Sequence, residues 1–323
     1  MKAVVQDRYG APDVLRLRDV DRPVPGDDEV LVRVRAAALN AYDWHLMRGD
    51  PYVARLALGL RAPRATVRGR DFAGEVTAVG RNVAGLRPGD EVFGEVDGTL
   101  AEYACVPDAA VERKPAGLTF EQAAALPLAG NTALRGLRDV AGLRPGQHVL
   151  VNGASGGVGT FAVQIATALG AEVTGVCSAR NADLVRSLGA DHVIDYARED
   201  FTRGGQRYDV VLDLIANHGI FALRRVLRPG GTIILASGGS PGRLLGAVGL
   251  LLRGVVLSPL VRGRVLPLVG PAPSKEALVA LRELADSGKL APVIDRTYPL
   301  GEAVEAIRYL EEQRTRGKIV VTV

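Results

Sequence analysis

Cysteine is nearly absent: Cys105 and Cys177 are the only two in 323 residues, and they stand in no C-x-x-C spacing. That excludes a disulfide framework and a cysteine-rich zinc lobe, and it suits a reducing cytosol. Histidine is scarce as well. The four, His45, His148, His192 and His218, have no i, i+4 pair that could grip a metal from one helix face. There is no uninterrupted apolar run of the roughly 20 residues that a spanning helix needs. The most apolar region, residues 244–270, is broken by Arg253, Arg262 and Arg264. It reads as a buried helix or an interface, with peripheral membrane contact as the lesser alternative. The first residues, "MKAVVQDRYG", reach Asp7 and Arg8 before any signal-peptide core can form. Blocks of like charge are missing too: 40 basic and 36 acidic residues leave a net charge of +4 without basic and aromatic clusters interleaved. A nucleic-acid partner is therefore not indicated.

What is present is an ordinary globular composition, 47% hydrophobic and 24% charged. The length exceeds what one core usually fills, so two domains are expected. Residues 1 to about 118 carry short strand-like runs, "KAVVQ", "EVLVRVRAAAL", "GEVTAVG" and "AEYACV", between Gly, Pro and Asp turns. From about 120 the texture becomes helical, and Thr119 with Gln122 forms a capping-box pattern. After that, strand and helix alternate: "QHVLVNG", then a helix with Val158, Phe161, Ala162, Ile165, Ala166 and Leu169 on one face, then "LGAEVTGV", "LGADHVIDY" and "YDVVLDLI". The segment "FALRRVLRPGGTIILAS" reads as helix, Pro-Gly turn and strand. Such alternation predicts a parallel, doubly wound sheet. Leu-Arg-Pro-Gly recurs at 86, 143 and 227 as repeated turn chemistry. The last strands, ending "GKIVVTV", could complete either domain.

The most informative segment is Asn152-Gly153-Ala154-Ser155-Gly156-Gly157-Val158-Gly159. It follows a strand and opens an amphipathic helix, which is where a dinucleotide pyrophosphate can meet bare backbone and unpaired helix N–H groups. It departs from G-x-G-x-x-G and lacks a P-loop lysine. At the end of the next strand, where an acidic residue would take the ribose hydroxyls of NAD, stand Cys177, Ser178 and Arg180. A hydroxyl and a guanidinium suit a 2′-phosphate, so NADPH (NADP) is the expected cofactor. Asp183 belongs to the next helix start.

As a set, "RPGDEVFG", "GTLAEYACVP", "LTFEQAAALPLAGNTAL", "NGASGGVGTFAVQIA", "LGADHVIDY" and "RGKIVVTV" resemble the medium-chain dehydrogenase/reductases, in the zinc-independent quinone oxidoreductase-like branch. The resemblance implies an α/β chain with a GroES-like β-rich substrate domain, residues 1–120 completed by 271–323. It also implies a doubly wound Rossmann domain at 121–270, with the active site in the cleft. Zinc-using relatives carry Cys-x-x-Asp, Gly-His-Glu and a third ligand near the inter-domain helix. Here those places read Asn40-Ala41-Tyr42-Asp43, Gly69-Arg70-Asp71 and Leu128 in "LPLAG", so no metal is expected. The charge pair in "GRDFAG" reads as a replacement for ligands, with Asp71 a partner for Arg70.

The resemblance further puts Asn40 against cofactor or substrate carbonyl, Thr132 near the nicotinamide, and Tyr196 along the adenosine-phosphate pocket. Asn40 could equally be a turn residue, and Thr132 an ordinary helix residue. Lys318, beside Gly317, is read as cofactor-contacting or as a surface cation. Tyr42, Tyr52 and His45 are candidates for substrate contact or proton supply. Gly153, Ser155, Gly156, Gly157, Val158, Gly159, Ser178 and Arg180 complete the expected cofactor set. The implied activity is zinc-independent hydride transfer from NADPH to a quinone or α,β-unsaturated carbonyl. The alternatives are a zinc-free aldehyde or alcohol reductase and a catalytically silent NADPH-binding regulatory protein. Homodimers are common in the resembling family.

Overall fold

The computed structural model describes residues 1–236, 249, 263–268, 273–312 and 315–323. The described chain forms two compact units, Met1–Asn131 with Ala272–Val323, and Thr132–Pro271.

The chain opens with an antiparallel ribbon, β1 (Lys2–Gln6) and β2 (Leu15–Asp19). The long β3 (Glu29–Leu39) follows, then the short helices α1 (Ala41–Arg48) and α2 (Arg55–Leu58) and the strands β4 (Asp71–Val79), β5 (Glu91–Glu95), β6 (Tyr103–Pro107) and β7 (Val111–Arg113). Alternation along β3 explains its two allegiances. Val30, Val32 and Val34 enter one core with Val76, Val92 and Val106, whereas Ala37 and Leu39 enter another with Val4, Leu15 and Met47.

Thr119 caps α3 (Phe120–Ala125) with the expected reciprocal box, its side chain accepting from the Gln122 N–H while the Gln122 side chain accepts from its own. Ala123, Ala124 and Ala125 are fully buried, and α3 packs on β3, β4 and β15 (Lys318–Thr322). The division between units consequently falls inside α4 (Pro127–Leu134), after Asn131, and not at 120.

The second unit runs β8 (His148–Asn152), α5 (Gly157–Ala168), β9 (Glu172–Cys177), α6 (Ala182–Ser187), β10 (His192–Asp195), β11 (Tyr208–Asp213), α7 (Ile220–Arg225), β12 (Leu227–Leu235) and β13 (Arg264–Pro267). Its sheet has the order β10-β9-β8-β11-β12-β13, with every pairing parallel. This is the doubly wound arrangement, with strand order reversing between β8 and β11.

Two expectations change. Helix α5 is not one-faced: every residue from Gly159 to Ala166 is buried. The Pro-Gly turn of 227–230 lies inside β12, where a register shift between Tyr208 and Val210 of β11 absorbs it. In all three Leu-Arg-Pro-Gly copies the glycine has positive φ, 92° at Gly89, 78° at Gly146 and 79° at Gly230, which only glycine adopts without strain. The apolar stretch 244–270 lies outside the described residues except for 249 and 263–268, and of these Arg264–Pro267 are strand. No described helix is long and apolar enough to cross a membrane.

The tail supplies α8 (Lys275–Asp286), β14 (Ile294–Pro299), α9 (Ala303–Glu311) and β15. Here β15 inserts between β14 and β3, with Ile319 opposite Leu39 and Val321 opposite Ala37. The terminal strands thus join the first sheet, whose order is β14-β15-β3-β4-β5-β7 with β6 on β3.

Candidate active site

In the first unit, the three segments that stand where zinc ligands would be expected converge on one carboxylate. Asp71, at the start of β4, is fully buried. Its Oδ2 accepts from the Asn40 amide at 2.9 Å and faces Lys318 Nζ at 3.2 Å, while its Oδ1 accepts from the Leu128 N–H at 3.1 Å. Lys318 also donates to the Asn40 Oδ1. Burial pushes the Asp71 carboxyl up; the Lys318 charge and the Asn40 and Leu128 hydrogen bonds pull it back.

This geometry corrects two readings. Lys318 is not a surface cation: it is 2% exposed, and its ammonium is bound to Asp71 and Asn40. The Asn40 amide donates to Asp71 and, at 3.4 Å, to the Ala38 carbonyl, so its N–H groups are engaged inside the fold and not offered to a substrate carbonyl. Asn40 caps α1, its own N–H donating to Asp43 Oδ2 at 2.7 Å. Asp43 is buried, and burial first, then the Asp71 charge, raises its carboxyl from 3.8 to about 7 against the pull of the Asn40 N–H.

Arg70 and Asp71 do not pair with each other. Arg70, just before β4, turns to Glu95 (Nε to Oε2, 3.3 Å), Asp97 (3.4 Å) and the Tyr42 hydroxyl (3.3 Å). Its guanidinium lies 4.8 Å from the Tyr42 ring centre. Glu95 is buried, bonded also by Asn131, and its carboxyl is raised to about 7 by burial and the Asp71 charge. Burial likewise raises the Tyr42 phenol, with Asp97 adding to the rise and Arg70 opposing it. Tyr52 stands apart from this cluster. It is 41% exposed in a short turn, with the Arg55 guanidinium over its ring. The His45 ring lies 3.2 Å from the Asp50 carbonyl.

In the second unit, the glycine loop joins β8 to α5 and is tied to β9 by the Gly153 and Ala154 N–H groups, both donating to the Val176 carbonyl. Gly153 has φ 92°. A Cβ on Gly159 would lie 2.1 Å from the Gly153 carbonyl, so only glycine lets the helix start this close. The first intrahelical N–H belongs to Thr160, which leaves those of Gly157, Val158 and Gly159 for a ligand. Ser155 Oγ accepts from Asn181 Nδ2 at 2.9 Å. Ser178 and the exposed Arg180 follow β9, and Tyr196, 60% exposed, is held beside them by its N–H to the Cys177 carbonyl. Thr132 lies on α4, partly buried.

Sequence reasoning missed two features here. Asn152 and Asp213 end β8 and β11 side by side, and Asp213 Oδ1 accepts from Asn152 Nδ2 and from the Ile215 and Ala216 N–H groups. Ala216 is held at φ 60°. The rule that ligands bind beyond the strand ends where the order reverses would have drawn attention to this pair. Asn181 is the other. Asn181 Oδ1 and Asp213 Oδ2 are buried without a partner in the structure, a pattern that fits a polar ligand at the loop.

Residues 26–116 match the alcohol dehydrogenase GroES-like domain, and residues 188–321 match a family described as zinc-binding dehydrogenase. The 2-methylene-furan-3-one reductase of Solanum lycopersicum is 36% identical over 99% of this chain and 79% of its own length. The NADPH-dependent alkenal/one oxidoreductase of Arabidopsis thaliana, a chloroplastic protein, is 35% identical over 99% of this chain and 79% of its own. The solved quinone oxidoreductase from Coxiella burnetii superposes with a TM-score of 0.87 at 34% identity, covering 100% of this chain and 99% of that one. A zinc ion does not fit the residues in hand: Asn40, Arg70 and a leucine backbone N–H stand at the ligand places, and an ammonium lies against Asp71 and Asn40. Among the described residues no group of three or more His, Cys, Asp or Glu is arranged to hold a metal.

Proposed function

The chain belongs to the medium-chain dehydrogenase/reductase superfamily, in its quinone oxidoreductase-like branch, and is an NAD(P)H-dependent oxidoreductase; we propose that it takes NADPH and reduces a quinone or an α,β-unsaturated carbonyl without zinc. The observation that carries this reading is the Lys318 ammonium bound between Asp71 and Asn40. With the ligand places used for an internal ion pair, a saturated ketone finds no Lewis acid to polarise it. Acceptors that spread developing negative charge over their own conjugated system need none.

The nicotinamide cofactor, when bound, supplies hydride. Backbone N–H groups of Gly157, Val158 and Gly159 at the start of α5 receive its pyrophosphate, with Gly153 and Gly156 giving clearance. Ser155, its oxygen already accepting from Asn181, keeps its own proton for a phosphate oxygen. Ser178 and Arg180 bind the 2′-phosphate beside Tyr196, and Thr132 lies toward the nicotinamide. Tyr42 meets the acceptor. A reducing compartment suits the free thiols Cys105 and Cys177.

The test is consumption of NADPH and of NADH across quinones, enones, saturated aldehydes and alcohols, with a chelator present. We expect turnover with quinones or enones, unaffected by chelation. Turnover with saturated aldehydes alone, or loss of activity on chelation, would overturn the reading, and NADPH binding without any turnover would point to a regulatory protein.

A further inference from the structure

We propose that Arg70 is a positioning residue that acts through Tyr42, holding the phenol so that its proton passes to the acceptor. The inference rests on the reductase reading and adds to it the proton donor and the charge that serves it.

Arg70 is 14% exposed, its Nε is anchored on the fully buried Glu95, and its NH1 donates to the Tyr42 oxygen at 3.3 Å. A phenol oxygen that accepts from a guanidinium keeps its own O–H available as a donor. The ring lies under the same cation, 4.8 Å from its centre, so two contacts fix Tyr42. Asp97, 49% exposed at the outer side of the cluster, touches the same NH1.

The charge balance around Tyr42 involves groups on several elements. Asp43 lies on its own helix, Asp97 follows β5, and both disfavour a phenolate; Arg70 beside β4 favours it. Arg68, buried before β4, also faces the phenol, and Glu95 on β5 offsets part of the Arg70 charge. Arg70 is the one cation hydrogen-bonded to the phenol oxygen among the described residues. It is thus placed to stabilise the phenolate at the moment the proton leaves.

For an enone the step balances as follows. Hydride from NADPH forms the new bond at the β-carbon, the C=C pair moves to make an enolate, and NADPH becomes NADP+. The α-carbon takes the Tyr42 proton, leaving a phenolate beside Arg70 that water reprotonates. The net change is addition of two electrons and two protons to the acceptor, one proton arriving as hydride.

The decisive readout does not need turnover. The difference in phenolate absorbance between the full protein and Tyr42→Phe isolates the titration of Tyr42. Arg70→Gln should move that titration to higher pH, and Arg70→Lys should restore part of the shift. Because Arg70→Gln strips Glu95 of its partner, Arg70→Gln with Glu95→Gln keeps the buried position neutral and serves where the single variant fails to fold. With the best acceptor, Arg70→Gln and Tyr42→Phe should each lower kcat by about 100-fold, leave the NADPH Kd unchanged, and combine to no more than the larger loss. A Tyr42 titration unmoved by Arg70→Gln overturns the inference even if no acceptor is turned over. Full activity in Tyr42→Phe overturns it while leaving the reductase reading intact.

Discussion

Lys318 Nζ lies 3.2 Å from Asp71 Oδ2, with the two side chains 2% and 0% exposed. An ion pair so enclosed is sustained only because its remaining capacity is used: Asn40 bridges both partners and Leu128 donates to the second carboxylate oxygen. The expected consequence is asymmetric. Lys318→Met should destabilise the first unit by about 3–5 kcal/mol, because a carboxylate is left alone in the core. Adding Asp71→Asn, which keeps one acceptor oxygen and removes the charge, should recover much of that loss in urea unfolding. Equal instability of the single and double variants would show that the pair contributes shape and not charge.

Asp43 gives a pH signature. Its carboxyl sits at about 7 in the fold against an ordinary 3.8, so the fold binds that proton more tightly than the unfolded chain does. Such a group contributes stability that is present below the unfolded pKa and is lost as pH rises through the folded one. Stability should accordingly decline from pH 4 to pH 7 on account of Asp43, with Glu95, also raised to about 7, adding in the same sense. Asp43→Asn retains an acceptor for the Asn40 N–H and should flatten that slope. Urea midpoints at pH 5 and pH 8 for both proteins are the measurement.

Cofactor choice should respond to Arg180. Arg180→Ala is expected to weaken NADPH by about tenfold to a hundredfold, the worth of a charge-assisted phosphate contact, and to leave NADH within about twofold. Fluorescence titration with both cofactors decides it, and equal weakening would remove Arg180 from the 2′-phosphate.

On the proposed reading of the glycine loop, Asn181 acts through Ser155, to which it donates. Asn181→Ala should weaken NADPH and NADH alike by about 2–10-fold, since the Ser155 hydroxyl loses the donor that orients it. Ser155→Ala should cost about as much, and the double variant no more than either alone. An additive double variant would mean that Asn181 serves only the packing of α6.

What the sequence made legible was local. The capping box at Thr119, the positive-φ glycines of the three Leu-Arg-Pro-Gly turns and the glycine loop opening α5 each depend on residues within a few positions of one another. The second sheet also followed from alternation, because each parallel crossover needs its own helix.

The site was less legible, for reasons of distance. Lys318 stands in "RGKIVVTV", where nothing nearby marks it as buried; its partner is 247 positions away. Asp71 looks like a partner for Arg70 because they are neighbours in sequence, but Arg70, just before β4, turns to Glu95 while Asp71 finds Lys318. Helix α5 reads as one-faced from the spacing of Val158, Phe161, Ala162, Ile165, Ala166 and Leu169, yet Thr160 and Gln164 on its other side are buried too. Each satisfies itself on its own helix, Thr160 donating to Gly157 and Gln164 to Thr160, and so can be buried.

The position of β15 also sets an order of events in synthesis. Strands β3 to β7 leave the ribosome before the whole second unit, yet β3 keeps the hydrogen-bonding edge of Ala36–Leu39 unpaired until Ile319–Thr322 emerge. The inserted unit has all its own strands by then and can fold first, as domains do during translation. Through that interval Asp71 waits without its ammonium, and the unpaired β3 edge is open to pairing with other strands.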